Sequence, residues 1–270
     1  MITTGPRLSV VIPAYNEAAR ISGSLERLIA WLDGPDWKGG AEILVVDDGS
    51  RDDTPNLVEE AGAETSEISA EAGGGSAVVV RLLRNGVNRG KGYSIKHGAL
   101  LATGTYLLLS DADFSTPIES LPALLGPVES GACAIAIGSR GLPDSNIEVR
   151  QPAWREAMGR TFNRLVRGLT GLPFMDTQCG FKVMRREVAA PLFRAARIER
   201  FAYDVEILYL ARKAGLAVQE IPVLWRNAAG SKVHPVRDAS VMLKDILRIR
   251  WRDRRGGYGR LGHAGGEEKS

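Results

Sequence analysis

The sequence predicts an α/β fold in three layers, with helices on both faces of a mostly parallel central sheet. In the first half of the chain, short apolar runs alternate with segments whose apolar residues recur at helical spacing. The apolar runs are continuous in Val, Ile and Leu, as is typical of strands that are buried on both faces. Of the 270 residues, 44% are hydrophobic and 25% are charged, which is ordinary for a globular protein.

The individual elements follow from these local patterns, in chain order. Strands are predicted over 8–13, 42–48, 77–84, 105–111 and 133–140. Helices are predicted over 17–32, from 54 onwards and over 91–103. Residues 61–77 are polar and rich in glycine, so we expect a surface excursion there.

After residue 140 the alternation weakens. Further helices are predicted over 151–170, 203–215 and 238–253, and further strands over 181–186 and 216–225. We expect one domain over 1–236, an amphipathic basic helix over 237–255 and a disordered tail over 256–270. No apolar run approaches the ~20 residues that a membrane-spanning helix needs, so no such helix is predicted.

Composition and spacing exclude several classes of protein. The two cysteines lie far apart with no CxxC motif, which argues against a disulfide framework or a zinc site and favours a reducing, cytosolic compartment. A net charge of only +3 gives no reason to expect a nucleic-acid partner. The first strand ends in IPAYNE, which lacks the glycines of a dinucleotide-binding turn. Residues 88–92, NRGKG, lack the spacing and the Ser or Thr of a phosphate-binding P-loop.

Polar residues follow four of the predicted strands, at 13–17, 47–50, 111–113 and 138–140. The carboxyl ends of parallel strands open onto one crevice, so we expect these residues to meet there. Asp111 and Asp113 are one residue apart and can approach the same cation. Carboxylate oxygens suit Mg²⁺ or Mn²⁺, which bind one or two carboxylates together with substrate phosphates.

Four motifs in this order, IPAYNE, VVDDGSRDDT, NRGKG and SDAD, resemble those of the family 2 nucleotide-sugar glycosyltransferases, which have the GT-A fold. The second half of the chain narrows the resemblance. DTQCGFKVMRR (176–186), RFAYDVEILYLARKAG (200–215) and EIPVLWRNAAGSKV (220–233) are similar to segments of dolichyl-phosphate β-glucosyltransferases and their bacterial polyprenyl-phosphate relatives. The resemblance implies inverting, metal-dependent transfer of glucose from UDP-glucose to a dolichyl or undecaprenyl phosphate. GDP-mannose as the donor and a hydroxyl group as the acceptor remain open alternatives.

The resemblance also implies a donor site. The residues expected to bind the nucleotide sugar are Pro13, Tyr15, Glu17, Asp47, Asp48, Lys91, Asp111 and Ala112. Among them, Asp47 or Asp48 is expected to accept a hydrogen bond from the uracil N–H, and Lys91 to approach the diphosphate. Asp111 and Asp113 are expected to hold Mg²⁺ or Mn²⁺, which makes Asp113 one of the predicted catalytic residues.

The acceptor half of the site is predicted from chemistry and from the same resemblance. A phosphate monoester, with a second pKa near ~6, is largely dianionic at neutral pH and needs cations more than a general base. Arg140, Arg155 and Arg160 are the candidate phosphate ligands, because the guanidinium fork matches phosphate oxygens. Asp204 occupies the place where relatives with hydroxyl acceptors keep their base, and it is expected either to act as a base or to orient a cation.

A lipid acceptor would require contact with a membrane surface, which we expect at the cytoplasmic face and without a spanning helix. The last predicted helix has Met242, Ile246 and Ile249 on one face. Basic residues run along another face: Lys244, Arg248, Arg252 and Arg255. This composition is typical of a helix lying in the membrane interface, and equally of a helix docked on the protein core.

Overall fold

The computed structural model describes residues 5–71, 78–149, 153–226 and 235–259. Its strands are β1 (Leu8–Ala14), β2 (Ala41–Asp47), β3 (Val78–Arg84), β4 (Tyr106–Leu109), β5 (Ile135–Ser139), β6 (Asn146–Val149), β7 (Lys182–Arg185), β8 (Val218–Pro222) and β9 (Leu224–Arg226). Its helices are α1 (Ile21–Leu32), α2 (Thr54–Glu71), α3 (Lys91–Leu101), α4 (Leu121–Glu129), α5 (Ala153–Thr170), α6 (Arg186–Ala195), α7 (Tyr203–Lys213) and α8 (Pro235–Arg254).

The central sheet has the strand order β3-β2-β1-β4-β7-β5-β8. Neighbouring strands are parallel except β7, which runs antiparallel to both β4 and β5. The predicted mostly parallel sheet is therefore confirmed. Because β1, β2, β4 and β5 all point the same way, their carboxyl ends and the turns after them lie along one edge.

Two buried clusters of apolar side chains cover the two faces of this sheet. Along β1, Val11 joins one cluster, whereas Val10 and Ile12 join the other, as the two-residue period of a strand requires. The first cluster includes side chains of α3, α6, α7 and α8, and the second includes those of α1 and α4. The three-layer prediction is thus confirmed.

Two predictions about local structure are wrong. Residues 61–71 are not an excursion but the second half of α2, which packs on β3, where the Val80 N–H donates to Thr65 Oγ1 at 3.3 Å. Alanine and glutamate are frequent in this stretch, and their helix propensity outweighs its overall polarity. The remainder, 72–77, lies outside the described residues. The single strand predicted over 216–225 is divided, and β9 pairs with β6 in a separate two-stranded sheet.

The C-terminal helix is docked on the protein. Met242, Ile246 and Ile249 of α8 are at most 6% exposed and belong to the cluster that covers one face of the sheet. The alternative in which this apolar face enters a membrane is therefore wrong, because the core already buries it. Within the predicted tail, Tyr258 is buried and its hydroxyl donates to Glu206 Oε1 at 2.5 Å, while 260–270 lie outside the described residues. None of the described helices is both long and apolar enough to cross a bilayer.

Candidate active site

The turn after β1 is fastened to the turn after β2. Three residues predicted for the base and ribose lie in this region, half-buried: Pro13, Tyr15 and Glu17. The backbone N–H of Glu17 donates to Thr54 Oγ1 at 2.7 Å, which joins the two turns. Asp47, the last residue of β2, is buried and accepts from the Ser50 N–H at 3.1 Å. Backbone amides thus hold this part of the crevice in place.

Asp48 fixes the loop that leads into α3. Its Oδ1 accepts from the Arg89 N–H at 2.9 Å and from Asn85 Nδ2 at 2.8 Å. Its Oδ2 accepts from the Gly90 N–H at 2.7 Å. A carboxylate that receives three hydrogen bonds in a buried place is satisfied by the protein itself. Asp48 therefore positions the loop before Lys91, whatever it contributes to a nucleotide.

The glycines beside Lys91 are needed for packing against the protein. Gly90 has φ +108°, and a Cβ there would lie 2.6 Å from the Glu199 carbonyl oxygen. A Cβ on Gly92 would lie 2.7 Å from the Ile198 carbonyl oxygen. Both glycines thus allow the backbone to pack closely against the segment before α7. Lys91 itself is the first residue of α3, and a helix N-terminus favours phosphate groups.

Asp111 and Asp113 lie in the turn after β4, not on the strand. β4 ends at Leu109, and the Lys91 ammonium pairs with Asp111 Oδ1 at 2.5 Å. Asp113 Oδ1 accepts from the Ser115 N–H at 3.0 Å, while Ala112 between the two aspartates is buried. Asp111 also rests on the backbone of Gly180, where an added Cβ would come within 2.4 Å of Oδ2.

The electrostatics of this turn keep its groups charged. Burial lowers the pKa of Lys91, but the carboxylates of Asp111, Asp204 and Asp113 together outweigh burial and raise that pKa above its usual value. Burial likewise raises the pKa of Asp111, and the opposing charges of Lys91 and other nearby cations bring that pKa below its usual value. Carboxylates and cations are therefore interleaved at this edge of the sheet.

The acidic turn fits a divalent cation that is shared with a phosphate. Asp111 and Asp113 supply the carboxylate oxygens that Mg²⁺ and Mn²⁺ prefer. Within the described ranges, no group of three His, Cys, Asp or Glu side chains is arranged to hold a metal ion. A cation held by this pair would thus take its remaining ligands from substrate and water. The close approach of Gly180 leaves no room for a side chain at that position beside the Asp111 carboxylate.

Arg140, directly after β5, is held by Asp176. Its Nε donates to Asp176 Oδ2 at 2.6 Å and its Nη2 to Asp176 Oδ1 at 3.0 Å, a bidentate pair. Burial raises the pKa of Asp176, but the Arg140 guanidinium outweighs burial and lowers that pKa to about 2. The guanidinium also lies 5.5 Å from the centre of the Trp225 ring. Asp176 thus fixes Arg140, the predicted phosphate ligand, by binding the Nε and Nη2 side of its guanidinium group.

Asp204, the second residue of α7, forms a buried ion pair with Lys182 of β7. Their side chains are only 5% and 1% exposed, and the Lys182 ammonium also donates to the Cys179 carbonyl oxygen. Burial raises the pKa of Asp204, and the charges of Lys182 and Lys91 only partly counter that rise. Asp204, predicted to be a base or an orienting residue, is thus buried and paired with a lysine.

Sequence reasoning assigned no role to Lys182 or Asp176, although both lie in the quoted segment 176–186. The available signal was the position of Lys182 between the apolar residues Phe181 and Val183 in a predicted strand, since a fully buried lysine almost always has a partner. The other two arginines predicted for the acceptor, Arg155 and Arg160, lie on α5. Their side chains are outside the described part of the structure.

The fold and the site together define an enzyme of the glycosyltransferase class: a GT-A-like sheet, an acidic turn after β4, and cations gathered beside it. Residues 9–193 match the family model described as glycosyl transferase family 2. The chain belongs to this family.

Curated relatives agree with that assignment. Over 91% of this chain and 74% of the relative, the sequence is 38% identical to a dolichyl-phosphate β-glucosyltransferase from Dictyostelium discoideum. It is 34% identical to the human protein of the same name, over 91% of this chain and 75% of the relative. Among solved structures, glucosyl-3-phosphoglycerate synthase from Mycobacterium tuberculosis, in complex with Mn²⁺, UDP-glucose and phosphoglyceric acid, superimposes with a TM-score of 0.65. That match covers 94% of this chain and 81% of the other at 19% identity, which is a likeness of fold alone.

Proposed function

We propose that this glycosyltransferase moves glucose from UDP-glucose to a polyprenyl phosphate, with inversion at the sugar and with the help of a divalent cation. The relatives' shared name, dolichyl-phosphate β-glucosyltransferase, supports both the sugar and the class of acceptor. A lipid acceptor places the reaction at a membrane surface, for which we propose the cytoplasmic face.

The observation that carries the proposal is the environment of Asp204. A general base must touch the proton that it removes. Asp204 is 4% exposed and its carboxylate is committed to Lys182, so it is poorly placed to serve a hydroxyl acceptor. A phosphate monoester needs no deprotonation at neutral pH. We therefore assign Asp204 an orienting role, in which its charge holds Lys182 beneath the reacting groups.

The donor would bind along the turns after β1, β2 and β4. Pro13, Tyr15 and Glu17, together with Asp47, border the space for the nucleoside. Lys91, at the N-terminus of α3, faces the diphosphate position. Asp111 and Asp113 would hold Mg²⁺ or Mn²⁺, which would supply positive charge to the departing nucleoside diphosphate. The complex of the Mycobacterium tuberculosis enzyme with Mn²⁺ and UDP-glucose supports this use of the fold.

The acceptor would enter beside Arg140. One phosphate oxygen attacks C1 of glucose as the bond from C1 to the UDP oxygen breaks, which gives glucosyl-phosphoryl-polyprenol and UDP. Asp176 keeps the Arg140 guanidinium oriented toward the acceptor phosphate. The α5 residues Arg155 and Arg160 remain proposed second ligands of that phosphate.

The proposed donor and acceptor are tested by offering several nucleotide sugars to the purified protein. Radiolabelled UDP-glucose, UDP-galactose and GDP-mannose are each incubated with undecaprenyl phosphate in detergent micelles and Mg²⁺ or Mn²⁺, and the products are extracted into organic solvent. We expect label in the organic phase from UDP-glucose, and its loss when EDTA is added. Transfer from GDP-mannose alone would overturn the choice of sugar. No lipid-soluble label from any donor would overturn the polyprenyl-phosphate acceptor.

A further inference from the structure

The outer face of α8 combines exposed apolar and basic side chains in one stripe. Leu247 is 50% exposed and Trp251 is 56% exposed, although both are large apolar residues. Exposed basic residues flank them on the same side of the helix and just after it: Lys244, Arg248, Arg254 and Arg255. Most of these positions follow the three- and four-residue spacing of one helical face. We call these six residues the α8 stripe.

The charged residues of the α8 stripe are all basic, and the nearby acidic residues are turned away from its exposed surface. Asp245 is buried, and Asp253 accepts from the Tyr209 hydroxyl at 2.6 Å and pairs with Lys213, toward α7. Arg248 pairs with Asp245 at 2.7 Å, yet its side chain remains 70% exposed. Over residues 239–259, the exposed charged side chains are therefore all basic.

The chemistry of the α8 stripe suits an anionic bilayer. Tryptophan and leucine enter the headgroup region, and lysine and arginine attract anionic lipids. The Arg255 guanidinium lies 4.2 Å from the centre of the Trp251 ring, so cation and aromatic ring form one amphipathic unit.

α8 also contacts the acceptor half of the site. Gln178 lies two residues after Asp176, which holds Arg140, and its Nε2 approaches the Met242 Sδ at 3.4 Å. Met242 is on the buried side of α8, near the beginning of the stripe. A helix with its side chains is roughly 10 Å across, so a membrane bound along the α8 stripe would lie one helix diameter from the segment that positions the phosphate ligand.

We infer that the α8 stripe is the surface by which this protein docks on anionic lipid bilayers. The inference rests on the proposed function, because it concerns delivery of a membrane-embedded acceptor to that site. It differs from the expectation formed on the sequence, since the face with Met242 and Ile246 is in the core and the opposite face meets the lipid.

Binding to vesicles that contain no polyprenyl phosphate tests the inference. The full-length protein is sedimented with vesicles of phosphatidylcholine alone, or with about one third phosphatidylglycerol. We expect binding to the anionic vesicles and weakening in high salt. Charge reversal by Lys244→Glu with Arg248→Glu should weaken binding at least about tenfold, given roughly one kcal/mol for each basic residue near the surface. Separately, Leu247→Glu with Trp251→Glu should also weaken binding, because it removes the apolar side chains that enter the headgroup region.

The matched control is Arg27→Glu with Lys38→Glu, which makes the same change in net charge as Lys244→Glu with Arg248→Glu. Both residues are exposed and lie on α1 or in the loop after it, on the other face of the sheet. The control should bind as the unchanged protein does. Equal binding to neutral and anionic vesicles, no binding to either, or an equal effect of the control would each overturn the α8 docking surface.

A second readout separates this inference from the proposed function. Glucose transfer to an acceptor in detergent micelles does not require docking on a bilayer, so all of these variants should retain it. Absence of transfer by the unchanged protein in micelles would refute the proposed function and leave vesicle binding to be judged by itself. Transfer in micelles without any binding to vesicles would refute the docking surface alone.

Discussion

The two halves of the crevice hold their carboxylates in different ways. In the donor half, Asp47 and Asp48 are held mainly by backbone amides and by the Asn85 side chain. In the acceptor half, Asp176 and Asp204 are held by the opposite charges of Arg140 and Lys182. Asp111, in the turn after β4, is held by an ion pair with Lys91 of the donor half.

The two halves should therefore respond differently to amino-acid substitutions. A carboxylate surrounded by amides keeps its partners when a neighbouring side chain changes. A buried ion pair does not, because removing one member leaves an uncompensated charge that costs about 3–5 kcal/mol. The acceptor half should therefore be the more sensitive to single substitutions. It should also respond to acid, because protonation of Asp176 removes its attraction to Arg140.

The largest effect is expected for Lys182→Met. The substitution leaves Asp204 buried without its partner, so the free energy of unfolding should fall by about 3–5 kcal/mol, measured by urea denaturation. Adding Asp204→Asn should restore a large part of that loss. The matched control is Lys213→Met, in a pair that is partly exposed, which should cost no more than about 1 kcal/mol. Equal losses for the two single variants would contradict the buried-pair account.

Asp113→Asn should have the next largest effect, on activity and not on stability. The asparagine Oδ1 can still accept from the Ser115 N–H, so the turn is preserved while the negative charge is lost. We expect the rate of transfer to fall by about 100-fold to 1000-fold, a range typical when electrostatic stabilisation is removed from a site. The melting temperature should stay within a few degrees of the unchanged protein. Near-normal turnover would remove Asp113 from the proposed metal site, and Asp36→Asn, on an exposed loop, serves as the control.

Acid should weaken the acceptor half through Asp176. The Arg140 charge brings the pKa of Asp176 from its ordinary value of 3.8 to about 2. Because the folded pKa is the lower one, the stabilisation is complete above the ordinary value and is lost as the pH falls toward 2. It amounts to about 2 kcal/mol, of which about half is lost between about pH 5 and about pH 3. Urea unfolding at these two pH values should show a shallower decline for Asp176→Asn. Parallel declines would contradict the pairing.

The smallest effect on kcat is expected for Asp48→Ala, in the donor half. The loop before Lys91 loses three hydrogen bonds, and the free energy of unfolding should fall by about 1–3 kcal/mol. The KM for UDP-glucose should rise more than kcat falls, because the change loosens a loop and removes no reacting group. Asp36→Ala, on an exposed loop, is the control and should alter neither the free energy of unfolding nor the kinetic constants. A change in kcat alone would argue against a positioning role for Asp48.

The sequence was sufficient to predict the sheet, because continuous apolar strands and helical spacing are local patterns. It was also sufficient to place the polar strand ends on one crevice, since parallel strands share a carboxyl edge. Local patterns did not predict features that depend on pairing between residues distant in sequence. They did not separate β8 from β9, which join different sheets although a single residue lies between them.

The interior of the site was less predictable for the same reason. Lys182 and Asp204 are 22 residues apart in sequence, and only the packing of β7 against α7 pairs them. Arg140 and Asp176 are 36 residues apart. Likewise, the periodicity of α8 identified an apolar face at Met242, Ile246 and Ile249. It did not reveal whether protein or membrane covers that face.

The claim that the acceptor is a phosphate and not a hydroxyl group is tested by comparing two acceptors that differ only in the phosphate. Initial rates of glucose transfer from UDP-glucose are measured with undecaprenyl phosphate and with undecaprenol, in the same micelles and at the same concentration. We predict rapid transfer to the phosphate and none detectable to the alcohol, because Asp204 is engaged by Lys182 and the acceptor phosphate is already ionised. Comparable transfer to the alcohol would contradict it and would make Asp204 a general base.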